Sequence, residues 1–172
     1  MHARYLVAAA IAAIAAALPV PAYAEGEVLR IKRNPNALIL DAARVNAGAD
    51  VVYLSGQLAS PIDPAMPMSE VDSLEDMGDT RTQTISVLGK IRDILATQGF
   101  SMGDVIKLTL FVAADPSTGR MDFAGVNAGF GAFFGTAENP ETVARSTFEV
   151  AGLVGPHFLI EIEAIAAKAP AP

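Results

Sequence analysis

Two hydrophobic periods follow one another between residues 79 and 112, and they restrict the chain to folds in which a helix packs on a strand. One helix stripe would hold Thr84, Leu88, Ile91 and Leu95, flanked by Val87 and Ile94. Asp79 can cap the start of this helix and Gly99 suits the position after its last turn, which predicts a helix over residues 79–98. Residues 105–112 then alternate, with Lys107 and Thr109 opposite an apolar face, and predict a central strand.

The remaining patterns predict one alternation of strands and helices. Short strands are indicated at residues 29–31, 42–45 and 51–55, the last ended by Gly56, and two longer ones at residues 144–150 and 159–166. A Gly-Pro-containing connection joins the last two strands as a hairpin or a longer crossover. Asp122 can cap a second helix. Its shared apolar face would hold Phe123, Val126, Phe130, Phe133 and Phe134, and its glycines at 125, 129 and 131 would permit close packing.

The first 24 residues are typical of a secretory signal peptide. They hold Arg4, an apolar run over residues 5–18 and an Ala22-Tyr23-Ala24 end. The apolar run is too short to span a bilayer. We therefore expect cleavage after Ala24, a periplasmic or secreted protein without a membrane span, and one domain over residues 25–172.

Charge and composition exclude several chemistries for residues 25–172. Removing Arg4 from the 12 basic residues leaves 11 against 19 acidic ones, a net charge of 11 − 19 = −8. With no Trp, and Tyr53 as the only tyrosine after residue 24, nucleic-acid binding is disfavoured. Without Cys, and with His157 as the only histidine after residue 24, thiolate chemistry and Cys or multi-histidine metal sites are excluded. We expect no metal and no cofactor.

Residues 60–78 form a long acidic loop in this interpretation. They hold three prolines, three methionines and five acidic residues, without Lys or Arg. Met66, Met68 and Met77 leave open a soft-metal site for Cu(I), since thioethers suit that ion. The alternative is a mobile acidic loop without a ligand.

The last third of the chain holds the residues with the clearest chemistry. Glu161 and Glu163 lie on one face of the final predicted strand, opposite Ile160, Ile162 and Ala164. Arg145 begins the preceding strand. It could form a surface ion pair with one of these acids, or its planar guanidinium could bind a small carboxylate.

Four segments, correctly ordered and spaced, resemble the Rid family (RidA/YjgF/YER057c/UK114). They are Tyr-Leu-Ser-Gly-Gln at 53–57, Gly-Asp-Val-Ile-Lys-Leu-Thr-Leu-Phe-Val at 103–112, residues 123–134 with Asn127, and Ala-Arg-Ser-Thr-Phe-Glu-Val at 144–150 with Ile-Glu-Ile-Glu-Ala-Ile-Ala at 160–166. The resemblance covers roughly residues 36–167. It implies an α+β, chorismate-mutase-like fold, with two helices packed on one face of a mixed β-sheet. It also implies a homotrimer with sites in clefts between subunits.

The resemblance further implies an activity and a site. Active relatives hydrolyse enamines and imines of 2-amino acids, such as 2-iminobutanoate and 2-iminopropanoate, to the 2-keto acid and ammonia without a metal or organic cofactor. By that resemblance Arg145 binds the substrate carboxylate and Glu161 holds the attacking water. Asn127, Thr147 and the main chain around Ser55 and Gly56 would line the cleft. Residues 60–78 are longer than the usual turn of the family and could lie over the cleft or the rim of the trimer.

Three classes of function follow. The first is a metal-independent deaminase of reactive imines and enamines. The second is a non-catalytic module that binds a small carboxylate in the same cleft. The third is a holdase-like or ribonuclease role, and the net charge of −8 argues against RNA as a partner.

Overall fold

The computed structural model describes residues 24–170, so the predicted leader lies outside the described part except for Ala24. The strands are β1 (Val28–Ile31), β2 (Ala42–Val45), β3 (Asp50–Leu58), β4 (Val105–Ala113), β5 (Ala144–Val150) and β6 (Ile160–Lys168). The helices are α1 (Thr80–Thr97) and α2 (Phe123–Phe130), with single 3₁₀ turns at Met68–Glu70 and Met102–Asp104.

Four strands form one mixed sheet in the order β3-β6-β4-β5. β6 is antiparallel to both β3 and β4, whereas β5 is parallel to β4. β5 and β6 are therefore not neighbours, and residues 151–159 cross over β4. Of the two connections that the sequence left open, the crossover is the one that forms.

Both helices cover one face of this sheet, which confirms the predicted α+β arrangement. Leu88, Ile91 and Leu95 of α1 are fully buried against β4 and β6 residues such as Leu108 and Ile162. Thr84 of the predicted stripe is also buried, whereas Ile94 at its flank is 37% exposed. The Asp79 carboxylate accepts a hydrogen bond of 2.7 Å from the Thr82 N–H, and Gly99 adopts φ +72° after the last turn.

α2 lies close to α1 because glycine replaces a side chain where the two helices meet. A Cβ atom built on Gly129 would lie 2.6 Å from the Cβ of Thr84. α2 ends at Phe130, so Phe133 and Phe134 follow it in turns, and Phe134 still joins the core. Phe123 does not join the core and is 45% exposed. The predicted common apolar face is therefore correct only in part.

β1 and β2 form a separate two-stranded ribbon rather than part of the larger sheet. The ribbon lies at the end of the sheet where β4 and β5 begin, because Arg30 donates hydrogen bonds to the Val105 and Thr142 carbonyls at 2.9 and 3.0 Å. Arg30 also pairs with Glu141 at 3.1 Å. Burial lowers the pKa of Arg30, and the nearby Glu141 carboxylate opposes that effect.

The sheet face that the helices leave uncovered presents large side chains to solvent. Tyr53 is 76% exposed and Phe148 is 53% exposed, although Phe148 stacks on Phe111 with ring centroids 6.4 Å apart. No helix within residues 24–170 combines the length and the apolar character that crossing a membrane would need.

Residues 60–78 are folded back on the domain. The Asp76 carboxylate accepts hydrogen bonds from the Asp72 N–H and from the N–H and hydroxyl of Ser73, which lowers the pKa of Asp76. Met77 is 1% exposed and belongs to the hydrophobic core, so its thioether packs against apolar side chains. Together with Met68 it lines a small cavity of 150 Å³ against residues 155–158.

Candidate functional site

Arg145 lies at the second position of β5, where its side chain reaches α2. Its Nη2 donates a hydrogen bond of 2.7 Å to Oδ1 of Asn127. Its Nη1 is buried and has no hydrogen-bond partner within the described residues. A buried guanidinium nitrogen without an acceptor is costly, so this geometry favours a ligand that supplies one.

Two phenylalanine rings flank the Arg145 guanidinium. Its Cζ lies 4.7 Å from the ring centroid of Phe130 and 5.7 Å from that of Phe123. Burial between them lowers the pKa of Arg145, and an arginine remains protonated at neutral pH even so. The site is therefore a cation held in partly apolar surroundings, where an anion is bound more strongly than at an exposed arginine.

Sequence reasoning selected Asn127 but missed both aromatic neighbours of Arg145. The signal was present, because Phe123, Asn127 and Phe130 are spaced four and three residues apart and must share one face of α2. The same spacing is typical of a core stripe, which is how the sequence analysis explains it. Phe130 is indeed buried in the core, and its ring also contacts the cation.

Glu161 lies beside the irregular part of β3. The β3–β6 register runs from Leu54 opposite Ala164 to Gln57 opposite Ile162, so β3 carries one extra residue at Ser55-Gly56. A Cβ atom on Gly56 would overlap the Glu161 carboxylate, which therefore rests against the glycine backbone. The sequence predicted a strand that ends at Gly56. This prediction was wrong, because β3 continues through the bulge to Leu58. Bulges of this kind often redirect a side chain beside a functional site.

Arg145 and Glu161 lie on opposite faces of the sheet in one protomer. Arg145 is opposite Leu108, whose side chain is buried under the helices. Glu161 is opposite Phe111, which alternates with the buried Leu110 and Val112 and so faces away from the helices. The sequence left open an ion pair between Arg145 and Glu161 or Glu163. No such ion pair forms within residues 24–170.

The predicted site residues thus form two groups. Arg145 and Asn127 meet through their hydrogen bond, and Thr147 lies two residues further along β5 on the same face. Glu161, Gly56 and Ser55 meet at the bulge on the other face. One protomer does not bring the two groups together.

The described residues offer no conventional metal centre. Within residues 24–170, no group of three or more His, Cys, Asp or Glu side chains is placed to hold a metal ion. The donors around Arg145 are a guanidinium and an amide, which suit an anionic organic ligand better than a cation.

Comparisons with known proteins agree with the fold and with these segments. The family model described as Endoribonuclease L-PSP matches residues 41–168. A 2-iminobutanoate/2-iminopropanoate deaminase of Escherichia coli K12 is 36% identical over 119 residues, covering 69% of this chain and 80% of the relative.

Two solved structures are similar across the domain. The Rid family protein YyfB of Yersinia pestis has a TM-score of 0.60 at 26% identity, covering 81% of this chain and 97% of its own. E. coli TdcF with bound serine has a TM-score of 0.51 at 28% identity, covering 81% of this chain and 99% of its own. The family model matches residues 41–168, and the two-helix mixed-sheet fold is that of the similar structures. The chain therefore belongs to the Rid (YjgF/YER057c/UK114) family.

Proposed function

We propose that this protein hydrolyses small imines and enamines of 2-amino acids to the 2-keto acid and ammonia. The observation that supports this most is the Arg145 guanidinium. Asn127 fixes one of its nitrogens, and the other is buried and has no hydrogen-bond partner among residues 24–170. The E. coli deaminase at 36% identity supports the reaction class. The signal-peptide-like sequence of residues 1–24 supports a site of action outside the cytoplasm.

Arg145 would bind the substrate through its carboxylate. A 2-imino acid carries a planar carboxylate next to the imine carbon, and a guanidinium matches it with two parallel N–H donors. Because Asn127 holds Nη2 in place, little side-chain freedom remains to be lost on binding. The rings of Phe123 and Phe130 keep water from the guanidinium faces and strengthen the contact.

Glu161 would orient and deprotonate the attacking water. An enamine first takes up a proton from solvent at its β-carbon, which gives the protonated imine. The water oxygen forms a bond to the carbon of the protonated imine while the C=N π electron pair moves to nitrogen, and Glu161 accepts a proton from the water, which gives a neutral carbinolamine. Glu161 then donates that proton to nitrogen. As the C–N bond breaks and ammonia leaves, the C=O bond forms and Glu161 accepts the proton of the carbinolamine hydroxyl, which passes to solvent. Positioning and proton transfer suffice for this reaction because the protonated imine is already electrophilic.

We further propose that the complete site forms between copies of this chain in a homotrimer. The two groups of site residues lie on opposite faces of one sheet, so Arg145 of one copy needs Glu161 of a neighbour. The exposed rings of Tyr53 and Phe148 on the uncovered sheet face supply apolar area for such an assembly.

The activity is tested by mixing purified protein with freshly generated 2-iminopropanoate and following keto-acid release. We expect acceleration over buffer in the wild type and a loss of about a hundredfold or more in Arg145→Ala, with a partial loss in Arg145→Lys, which keeps the charge but not the planar fork. Arg92→Ala is the matched control, because Arg92 only pairs with its neighbour Asp93 on the surface of α1. Equal rates in wild type and Arg145→Ala would reject the proposal.

A second candidate is a binding protein for a stable small carboxylate. It is favoured by the protomer itself, which supplies the Arg145–Asn127 contact while Glu161 lies on the other face of the sheet, and by the relative whose structure contains serine. Calorimetric binding of L-serine or pyruvate that Arg145→Ala abolishes, with no turnover of 2-iminopropanoate, would favour this role over hydrolysis.

A further inference from the structure

The uncovered sheet face contains a cavity that the proposed hydrolysis does not use. Its volume is about 280 Å³. The lining residues with functional groups are Tyr53, Ser55, Lys107, Thr109 and Glu163. Only Ser55 is shared with the candidate site described above, and Arg145 lies on the other face of the sheet.

The cavity holds one cation and one anion that do not pair with each other. Glu163 is directly opposite Thr109, so Lys107 is its diagonal neighbour across β4 and β6. Diagonal neighbours have Cβ atoms roughly 7–8 Å apart, within reach of a lysine side chain. Nevertheless, no Lys107–Glu163 ion pair forms within the described residues; the Lys107 ammonium instead donates a 2.7 Å hydrogen bond to the Ser146 hydroxyl.

Lys107 uses one N–H donor in its hydrogen bond to Ser146 and retains two more. Glu163 retains its acceptors, because neither oxygen of its carboxylate is hydrogen-bonded within residues 24–170. Hydroxyl groups of Tyr53, Ser55 and Thr109 can serve as donors or acceptors between the two charges. The space between a separated ammonium and carboxylate is thus lined with polar groups.

We propose that this cavity binds the zwitterion of a small free amino acid, with its carboxylate at Lys107 and its ammonium at Glu163. A simple carboxylate would be repelled by Glu163 and a simple amine by Lys107, whereas a zwitterion satisfies both charges. The inference does not depend on the proposed hydrolysis.

Calorimetric titration with glycine, β-alanine and 4-aminobutanoate tests the inference, because these probes differ only in the spacing of their charges. We expect at least one of these zwitterions to bind, with one site per protomer. Acetate and ethylammonium should bind at least about tenfold more weakly than that zwitterion. Tyrosine fluorescence adds a local readout, since Tyr53 lies at the cavity and the chain has no Trp. The ligand-induced change should disappear in Tyr53→Phe.

Variants assign the charges. Lys107→Met and Glu163→Gln should each weaken zwitterion binding about tenfold or more, while Arg145→Gln leaves it unchanged. Glu163 is exposed, so Glu163→Lys should fold and should shift the preference from the zwitterion to acetate. Three results would each overturn the inference: no binding of any of the three zwitterions, wild-type affinity in both Lys107→Met and Glu163→Gln, or binding lost only in Arg145→Gln. None of these outcomes depends on whether the protein hydrolyses imines.

Discussion

Gly56 determines where the Glu161 carboxylate can lie. Its backbone dihedral φ is not positive, so the position requires glycine for space rather than for conformation. We predict that Gly56→Ala displaces the Glu161 carboxylate and lowers imine hydrolysis about tenfold or more, because a misplaced carboxylate no longer orients water. Rates and thermal unfolding of wild type and variant measure the effect.

Gly152→Ala is the matched control for Gly56→Ala. A Cβ atom on Gly152 meets no atom within 4 Å, and its φ is not positive, so activity and stability should stay as in the wild type. Unchanged activity in Gly56→Ala, with a stable fold, would show that Glu161 does not act from this position.

The sequence predicts which residues belong to the candidate site, but not how the fold arranges them. Arg145, Glu161 and Asn127 could be selected from local segments that resemble the family. The placement of Arg145 and Glu161 on opposite faces could not, because it depends on the order β3-β6-β4-β5 and on the bulge at Ser55-Gly56. Alternation within β6 shows that Glu161 and Glu163 share a face, but not which residues of other strands join them.

The sequence predicts the N-cap residues of both helices better than it predicts which of their side chains are buried. Asp79 and Asp122 both act as N-caps, accepting hydrogen bonds from the N–H groups of Thr82 and Gly125. Local rules suffice for such caps because cap and partner are three residues apart. The exposure of Ile94 and Phe123 was not predictable, since it depends on where α1 and α2 meet the sheet and Arg145.

Two glycines within the helices should respond oppositely to the same substitution. In Gly129→Ala the new Cβ would lie 2.6 Å from the Cβ of Thr84, so α2 must move away from α1, at a cost of about 1–3 kcal/mol. In Gly89→Ala the Cβ meets nothing within 4 Å, and the higher helix propensity of alanine should stabilise α1 by about 0.5–1 kcal/mol. Chemical denaturation measures both. Equal effects of the two substitutions would contradict the close helix contact.

The Asp79 cap makes the stability of α1 depend on pH. Hydrogen bonds from the Thr82 side chain and backbone lower the pKa of Asp79 below its ordinary value. The folded state then binds the proton less readily than the unfolded chain, so this stabilisation is present above the ordinary Asp pKa of about 4 and is lost as pH falls through the lower folded value. We predict that Asp79→Ala costs about 1 kcal/mol at neutral pH and less in acid.

Asp79→Asn separates the cap from its charge. Asparagine caps a helix about as well as aspartate but does not titrate in acid, so its stability relative to wild type should rise as pH falls below 4. Denaturation curves of the three proteins from pH 7 to pH 2 provide the measurement. A constant gap between wild type and Asp79→Asn over that range would show that the Asp79 carboxylate does not contribute through its charge.

At the scale of the whole molecule, the sheet separates the two halves of the candidate site and leaves one face uncovered. Arg145 reaches α2 on the covered side, while Glu161 and the exposed Tyr53 lie on the open side. A monomer therefore has no shared cleft for an anion at Arg145 and a water at Glu161. The proposed hydrolysis and the proposed assembly are thus one hypothesis about geometry, and they can be tested together.

Mixing two inactive variants tests whether the site forms between copies. Arg145→Ala and Glu161→Gln should each lose activity as homotrimers. After joint unfolding and refolding in equal amounts, a site recovers both intact residues when a Glu161→Gln copy supplies Arg145 and its neighbour, an Arg145→Ala copy, supplies Glu161. Random association places this pair at about a quarter of the sites, so we predict about a quarter of the wild-type rate. If both residues came from one chain, every site would lack one of them and the mixture would stay inactive, as would a mixture of monomers.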